Sequence, residues 1–227
     1  MQGENGTERA AERILEAALP HVAFDGWSQT TFDAAVTDSG IAPALAQALY
    51  PRGGIDLALA YHRRGDRMMA EILAQKPVEG GIRDRIADAV MTRLALADRE
   101  AVRRGSALMA LPHHATDGAG AIWGTADAIW RALGDTSDDL NWYSKRATLS
   151  AVYGATVLFW LGDDSEDASA TRAFLARRLD GVMRIEKAKA ALRDNPVTKR
   201  LLAGPMKLVS HIRAPAPTDD LPGRTRR

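Results

Sequence analysis

His113-His114 is the chain's only histidine pair, and Asp163-Asp164-Ser165-Glu166-Asp167 is an acidic run of four carboxylates. Paired imidazoles suggest a metal site, and clustered carboxylates suggest calcium binding or acid–base work. Neither pattern supports that chemistry. Adjacent residues point apart on a helix, and no HxxxH or HExxH spacing accompanies the pair, so His113-His114 reads as loop surface. The acidic run lacks the ligand order of a calcium loop and reads as a solvated helix connection. His21, His62 and His211 are isolated along the chain. Gly118-Ala119-Gly120 follows no strand and fits no phosphate-binding fingerprint. The absence of cysteine excludes disulfides, thiolate metal sites and cysteine nucleophiles, and fits a reducing compartment. With no acid–base constellation, the sequence predicts a protein that is not an enzyme and needs no cofactor.

A different constellation remains. Gly134-Asp135-Thr136-Ser137-Asp138-Asp139-Leu140 reads as an acidic, capped loop, and Asn141-Trp142-Tyr143-Ser144-Lys145-Arg146-Ala147 as the helix it feeds. Trp142, Arg146 and Tyr153 are spaced to share one helix face, with Tyr143 and Leu149 alongside. An exposed Trp-Tyr-Arg cluster has the composition of an interface hot spot. Asp139 suits the positive end of the helix dipole, so it can cap the helix or contact a partner; Thr136 or Ser137 can also cap.

Helices must position these residues. Apolar residues recur three and four apart, alanine is abundant and strand-like alternation is scarce, so the fold class is all-α. Ile14, Leu15, Ala18 and Leu19 make one face of a first helix that Pro20 should break or kink. Ser28 caps a helix to about Asp38, Ser39-Gly40 ends it, and a short helix spans Pro43 to Leu49. A longer helix runs from about Ile55 to Ala74. Further helices are expected at about 82–100, 121–133, 139–161 and 168–192, with a loop from Leu111 to Gly120. The organisation reads as a disordered N-terminus (1–8), a helix-turn-helix-like subdomain (9–75), a helical ligand-binding domain (82–193), an amphipathic segment (196–213) and a disordered tail (214–227).

Charge restricts the partners. The net charge is +1, yet Arg172 to the end holds 14 Lys/Arg against 5 Asp/Glu, so a cationic arm hangs on a near-neutral body. Within it, Val197, Leu201, Leu208 and Ile212 fall together on a helical wheel, while Lys199, Arg200 and Lys207 take the other side. Such a helix suits an anionic membrane surface, although Gly204-Pro205 should bend it. The second short helix, Ala42 to Tyr50, has no Lys or Arg, and Gln47 is its only base-reading side chain. DNA binding is therefore disfavoured. Met1 to Glu8 has neither an apolar signal core nor an Arg/Ser-rich leader, which implies a bacterial cytoplasmic protein, peripheral on the inner membrane.

The signature 134–147, together with the Gly26-Trp27-Ser28-Gln29-Thr30-Thr31 start and the Ser39-Gly40 turn, resembles the ubiquinone-biosynthesis lipid-binding family with its TetR-like fold. The resemblance implies an N-terminal helix-turn-helix-like half and a C-terminal ligand-binding half whose helices also form a homodimer. It implies an isoprenoid or other long-chain lipid, held among candidates Met91, Leu94, Met109, Trp123, Trp130, Ala151, Gly154 and Phe159. Asp139, Trp142, Tyr143 and Arg146 correspond to the family's patch for docking a di-iron quinone hydroxylase. Val197, Lys199, Arg200, Leu201, Lys207, Leu208 and Ile212 correspond to its membrane helix. The alternative is a ligand-responsive TetR-type transcriptional regulator.

Overall fold

The computed structural model describes residues 2–75, 79–194 and 213–214. These residues form helices and no strand, as the periodicity requires. The helices are α1 (Gln2–Asp25), α2 (Gln29–Ser39), α3 (Pro43–Leu49), α4 (Gly54–Gln75), α5 (Ile82–Ala95), α6 (Arg99–Met109), α7 (Ala115–Ala132), α8 (Leu140–Leu161) and α9 (Ser169–Asp194). None among the described residues is long and apolar enough to cross a membrane.

α2 and α3 follow their local signals closely. The Ser28 hydroxyl accepts the Thr31 N–H at 3.2 Å, and Gly40 ends α2 at φ 63°. Pro43 opens α3, where a missing N–H costs nothing. Two expectations fail here. α1 opens at Gln2, ahead of the expected start, and it runs straight through Pro20. Pro20 faces solvent, while Ile14, Leu15, Ala18 and Val22 are buried along the opposite face. Burial of four apolar side chains outweighs the roughly 3 kcal/mol that an interior proline costs.

Two more boundaries differ in the second half. The helix expected over 82–100 is interrupted after Ala95, because Asp98 caps a new helix by accepting the Ala101 N–H at 2.7 Å. The loop expected over 111–120 shrinks to a single 3-10 turn, Pro112–His114, and α7 begins at Ala115. Gly118 is helical there because α7 crosses α6 closely: a Cβ at Gly118 would lie 3.0 Å from that of Met109. The glycine serves close packing, not a turn.

Two apolar cores result. Ile14, Leu15, Trp27, Phe32, Tyr50 and Leu57 anchor one among α1–α4; Met69, Val90, Leu94, Ile129, Leu149, Tyr153 and Leu175 anchor the other. Both draw on α4, and α4 packs along α7. Trp27 also donates its indole N–H to the Ala101 carbonyl at 2.9 Å, tying α6 to the first core.

Candidate functional site

α4, α5, α6, α7 and α8 do not close fully on one another. They surround a cavity of about 430 Å³, within the usual range of small-molecule sites. Leu94, Val102, Met109, Ile122, Val157 and Leu158 give it apolar walls, and Ala58, Ala97, Gly105, Gly118 and Gly154 leave the room. Leu158 is 69% exposed and, with exposed Ala110, Ala115 and Ala119, marks the mouth.

The lining also has polar members, His62, Arg93 and Tyr153, which Asp66 and Thr125 support. Arg93 Nε donates to Asp66 Oδ1 at 2.7 Å, and a second guanidinium nitrogen donates to the His62 carbonyl at 3.0 Å. Burial opposes the Arg93 charge, but Tyr153 and Asp66 nearby outweigh it and leave the pKa raised. Burial pushes the His62 imidazole down and the Tyr153 hydroxyl up. Gly65 makes room for this pair, because a Cβ there would sit 2.5 Å from Arg93 Cζ.

The 134–147 signature forms a separate structure on the outer face of α7 and α8. Arg146 is 1% exposed and donates to Asp127 at 2.6 Å and Asp135 at 3.1 Å. Lys145 Nζ reaches the same Asp135 carboxylate at 2.7 Å. Burial alone would raise the Asp135 carboxyl, but hydrogen bonds from Lys145, Ser137 and Arg146 hold it down at about 2. Above this network the Arg146 guanidinium lies 4.0 Å from the Trp142 ring centre. Trp142 in turn packs on Trp123 at 5.9 Å and edge-on to Tyr143 at 4.8 Å. Asp139 caps α8, accepting the Asn141 N–H at 2.9 Å. The Tyr143 hydroxyl donates to the Arg213 carbonyl at 3.1 Å, and the Ala214 N–H donates to the Asp138 carbonyl at 2.8 Å. Position 213–214 is thereby attached to the signature.

The signature and its α7 partners fall within residues 115–186, the stretch that matches the COQ9 family model. The ubiquinone biosynthesis protein COQ9, mitochondrial, of Homo sapiens is 30% identical over 186 residues, covering 78% of this chain and 58% of that protein. Its Drosophila melanogaster counterpart is 29% identical, covering 77% and 55%. The chain is similar to the COQ9 family. It spans less than two thirds of the length of these curated COQ9 relatives. A solved TetR transcriptional regulator from Nitrosomonas europaea superposes with a TM-score of 0.60 at 21% identity, covering 75% of this chain and 95% of that one. The fold is TetR-like. The mitochondrial names of the COQ9 relatives overturn the bacterial cytoplasmic assignment. That assignment leaned on residues 1–8, which say little in a chain much shorter than its relatives.

The structure redistributes the candidate residues. Leu94, Met109 and Gly154 line the cavity. Met91 is buried in the second core instead. Trp123 supports Trp142, and Trp130 lines a smaller cavity of about 200 Å³ while donating to the Lys145 carbonyl at 3.2 Å. Ala151 is exposed, and Phe159 stacks on Phe174 at 4.5 Å on the outer surface. On a helix whose two sides are both apolar, composition does not distinguish the hollow side from the packed one. Of the docking candidates, Trp142 and Tyr143 are half-buried and Asp139 is exposed. Arg146 is not a surface contact: it is sealed beneath Trp142 by two carboxylates. Val197, Lys199, Arg200, Leu201, Lys207, Leu208 and Ile212 lie outside the described residues. Sequence reasoning missed His62, Arg93, Asp66 and Thr125. His62 and Asp66 are one helical turn apart on α4, which was the available signal.

Proposed function

We propose that the chain is a non-catalytic lipid-binding protein of ubiquinone biosynthesis, holding a polyprenylated quinone precursor and offering it to a hydroxylase partner. The apolar cavity of about 430 Å³ carries this reading. Each buried CH₂ contributes about 0.8 kcal/mol, so a long tail binds such walls without specific polar partners. The names of the COQ9 relatives supply the pathway, and none of the names cited describes an enzyme. The Trp142–Tyr143 face supports partner docking, since half-buried aromatics on a rigid base suit a hot spot. An anionic membrane contact through 196–213 and a homodimer through α8 and α9 complete the proposal; Leu158, exposed on α8, favours the latter.

Native mass spectrometry of the purified full chain tests the central reading. We expect a co-purified long-chain lipid, or stoichiometric uptake of an added one. Protein that stays empty after incubation with isoprenoid lipids would refute it.

The alternative, a DNA-binding regulator, has less support. Gln47, the base-reading side chain of α3, already donates to the Pro51 carbonyl at 2.8 Å. The rest of α3 presents Pro43, Ala44, Leu45 and Ala48, which neutralise no phosphate.

A further inference from the structure

His62 has one hydrogen-bonding atom without a partner. Its Nε2 lies 2.8 Å from Thr125 Oγ1 and 3.1 Å from the Ala121 carbonyl oxygen. The carbonyl can only accept. Thr125 directs its own proton to Asp66 Oδ1 at 2.9 Å, and Asp66 is paired with Arg93 and therefore also accepts. Both neighbours of Nε2 thus need a donor, so the ring proton sits on Nε2. Nδ1 is left with a lone pair, and no hydrogen bond joins it to a described residue. Burial also disfavours the doubly protonated ring, which keeps that lone pair available.

The surroundings narrow what can satisfy Nδ1. His62 lines the cavity together with Arg93 and Tyr153. The Asp66–Arg93 pair cancels the charges nearest to His62, which weakens the pull on an anionic head such as a phosphate or carboxylate. Tyr61 and Tyr153 bring neutral phenols. The site therefore calls for an uncharged donor carried on an apolar body.

We propose that the cavity selects a lipid with a hydroxyl-bearing head, a phenol or hydroquinone, whose O–H donates to His62 Nδ1. This deepens the lipid-binding reading and rests on it. A quinone carries only carbonyl acceptors, and would set lone pair against lone pair at Nδ1. An ether offers no proton either. The cargo is accordingly taken in its reduced, hydroxylated form. The step that supplies it leaves a free ring hydroxyl.

The test uses the full chain and two matched probes, 4-dodecylphenol and 4-dodecylanisole, titrated against intrinsic tryptophan fluorescence. Desolvation penalises the phenol more than the ether, so without an acceptor the ether binds better. With Nδ1 as acceptor, the phenol is expected to bind about tenfold tighter, the equivalent of about 1.4 kcal/mol. His62→Phe should abolish that preference, so that the phenol binds no tighter than the anisole. Equal binding of both probes by the wild-type chain overturns head selection and leaves the lipid cavity standing. A preference that survives in His62→Phe overturns the role of His62. Failure of both probes to bind overturns the cavity reading as well. Should His62→Phe not fold, the wild-type comparison still decides the preference, and His62→Gln gives the second variant.

Discussion

The cavity and the 134–147 signature sit on the same two helices, α7 and α8, yet they are built in opposite ways. The cavity is made of small and apolar residues whose value lies in what they leave empty. The signature is made of charges and aromatics that interlock, with Arg146 as the keystone between Asp127, Asp135 and Trp142. One region can lose a side chain and only change shape. The other loses its internal compensation, because removing one member strands the rest. Rigidity beneath an aromatic face is what docking requires, and a compliant apolar hollow is what a long tail requires.

The sharpest test of that contrast is Arg146→Ala. Asp127 and Asp135 would each lose one cation and keep only Arg131 and Lys145, and breaking a buried pair costs about 3–5 kcal/mol. A urea melt should register a loss of that order; a loss under about 1 kcal/mol would mean the network is looser than its geometry. Acid offers a gentler version. The folded Asp135 pKa, about 2, lies below its ordinary value, so its contribution is complete above about pH 4 and is lost as pH falls toward 2. The amount is about 2 kcal/mol, and Asp135→Asn should flatten the stability profile across that window. Trp142→Ala removes the cation–π contact and the Trp123 contact from a half-buried site, and about 1–2 kcal/mol should go. Its binding to a hydroxylase partner, measured by surface plasmon resonance, should fall at least tenfold. Gly154→Leu is expected to move stability least. A Cβ there meets only Ile122 Cδ1 at 3.6 Å, so the added side chain projects into open cavity. Lipid uptake should nevertheless drop about tenfold, and a variant that binds lipid normally would argue against this cavity as the site.

Particular residues mark how far the sequence was legible. Ser28, Gly40 and Pro43 act within a few residues of themselves, and each does in the structure what its type implies. Pro20 and Gly118 carry equally strong local signals that packing overrides, since the first is outweighed by a buried face and the second fits a helix crossing. Arg146 reads as a surface hot spot because nothing local announces that Asp127 and Asp135 close over it. Of the eight cavity candidates, Leu94, Met109 and Gly154 line the cavity, since apolar residues look alike whether they fill space or border it. His62 gave almost no signal, because its role depends on Thr125 and Ala121, about sixty positions away.

The sequence by itself determined an all-helical chain, its capped turns, the absence of cysteine chemistry and an aromatic–basic segment inside the stretch that matches the COQ9 family model. Each of these is written in residue identity or in spacing within a turn or two. Tertiary structure alone decided which apolar faces part to leave a hollow, that Arg146 supports the aromatic face from below, and which groups surround the His62 ring. Those properties arise from side chains brought together across the fold, where burial and the competition for hydrogen-bond partners are set by neighbours distant in the chain.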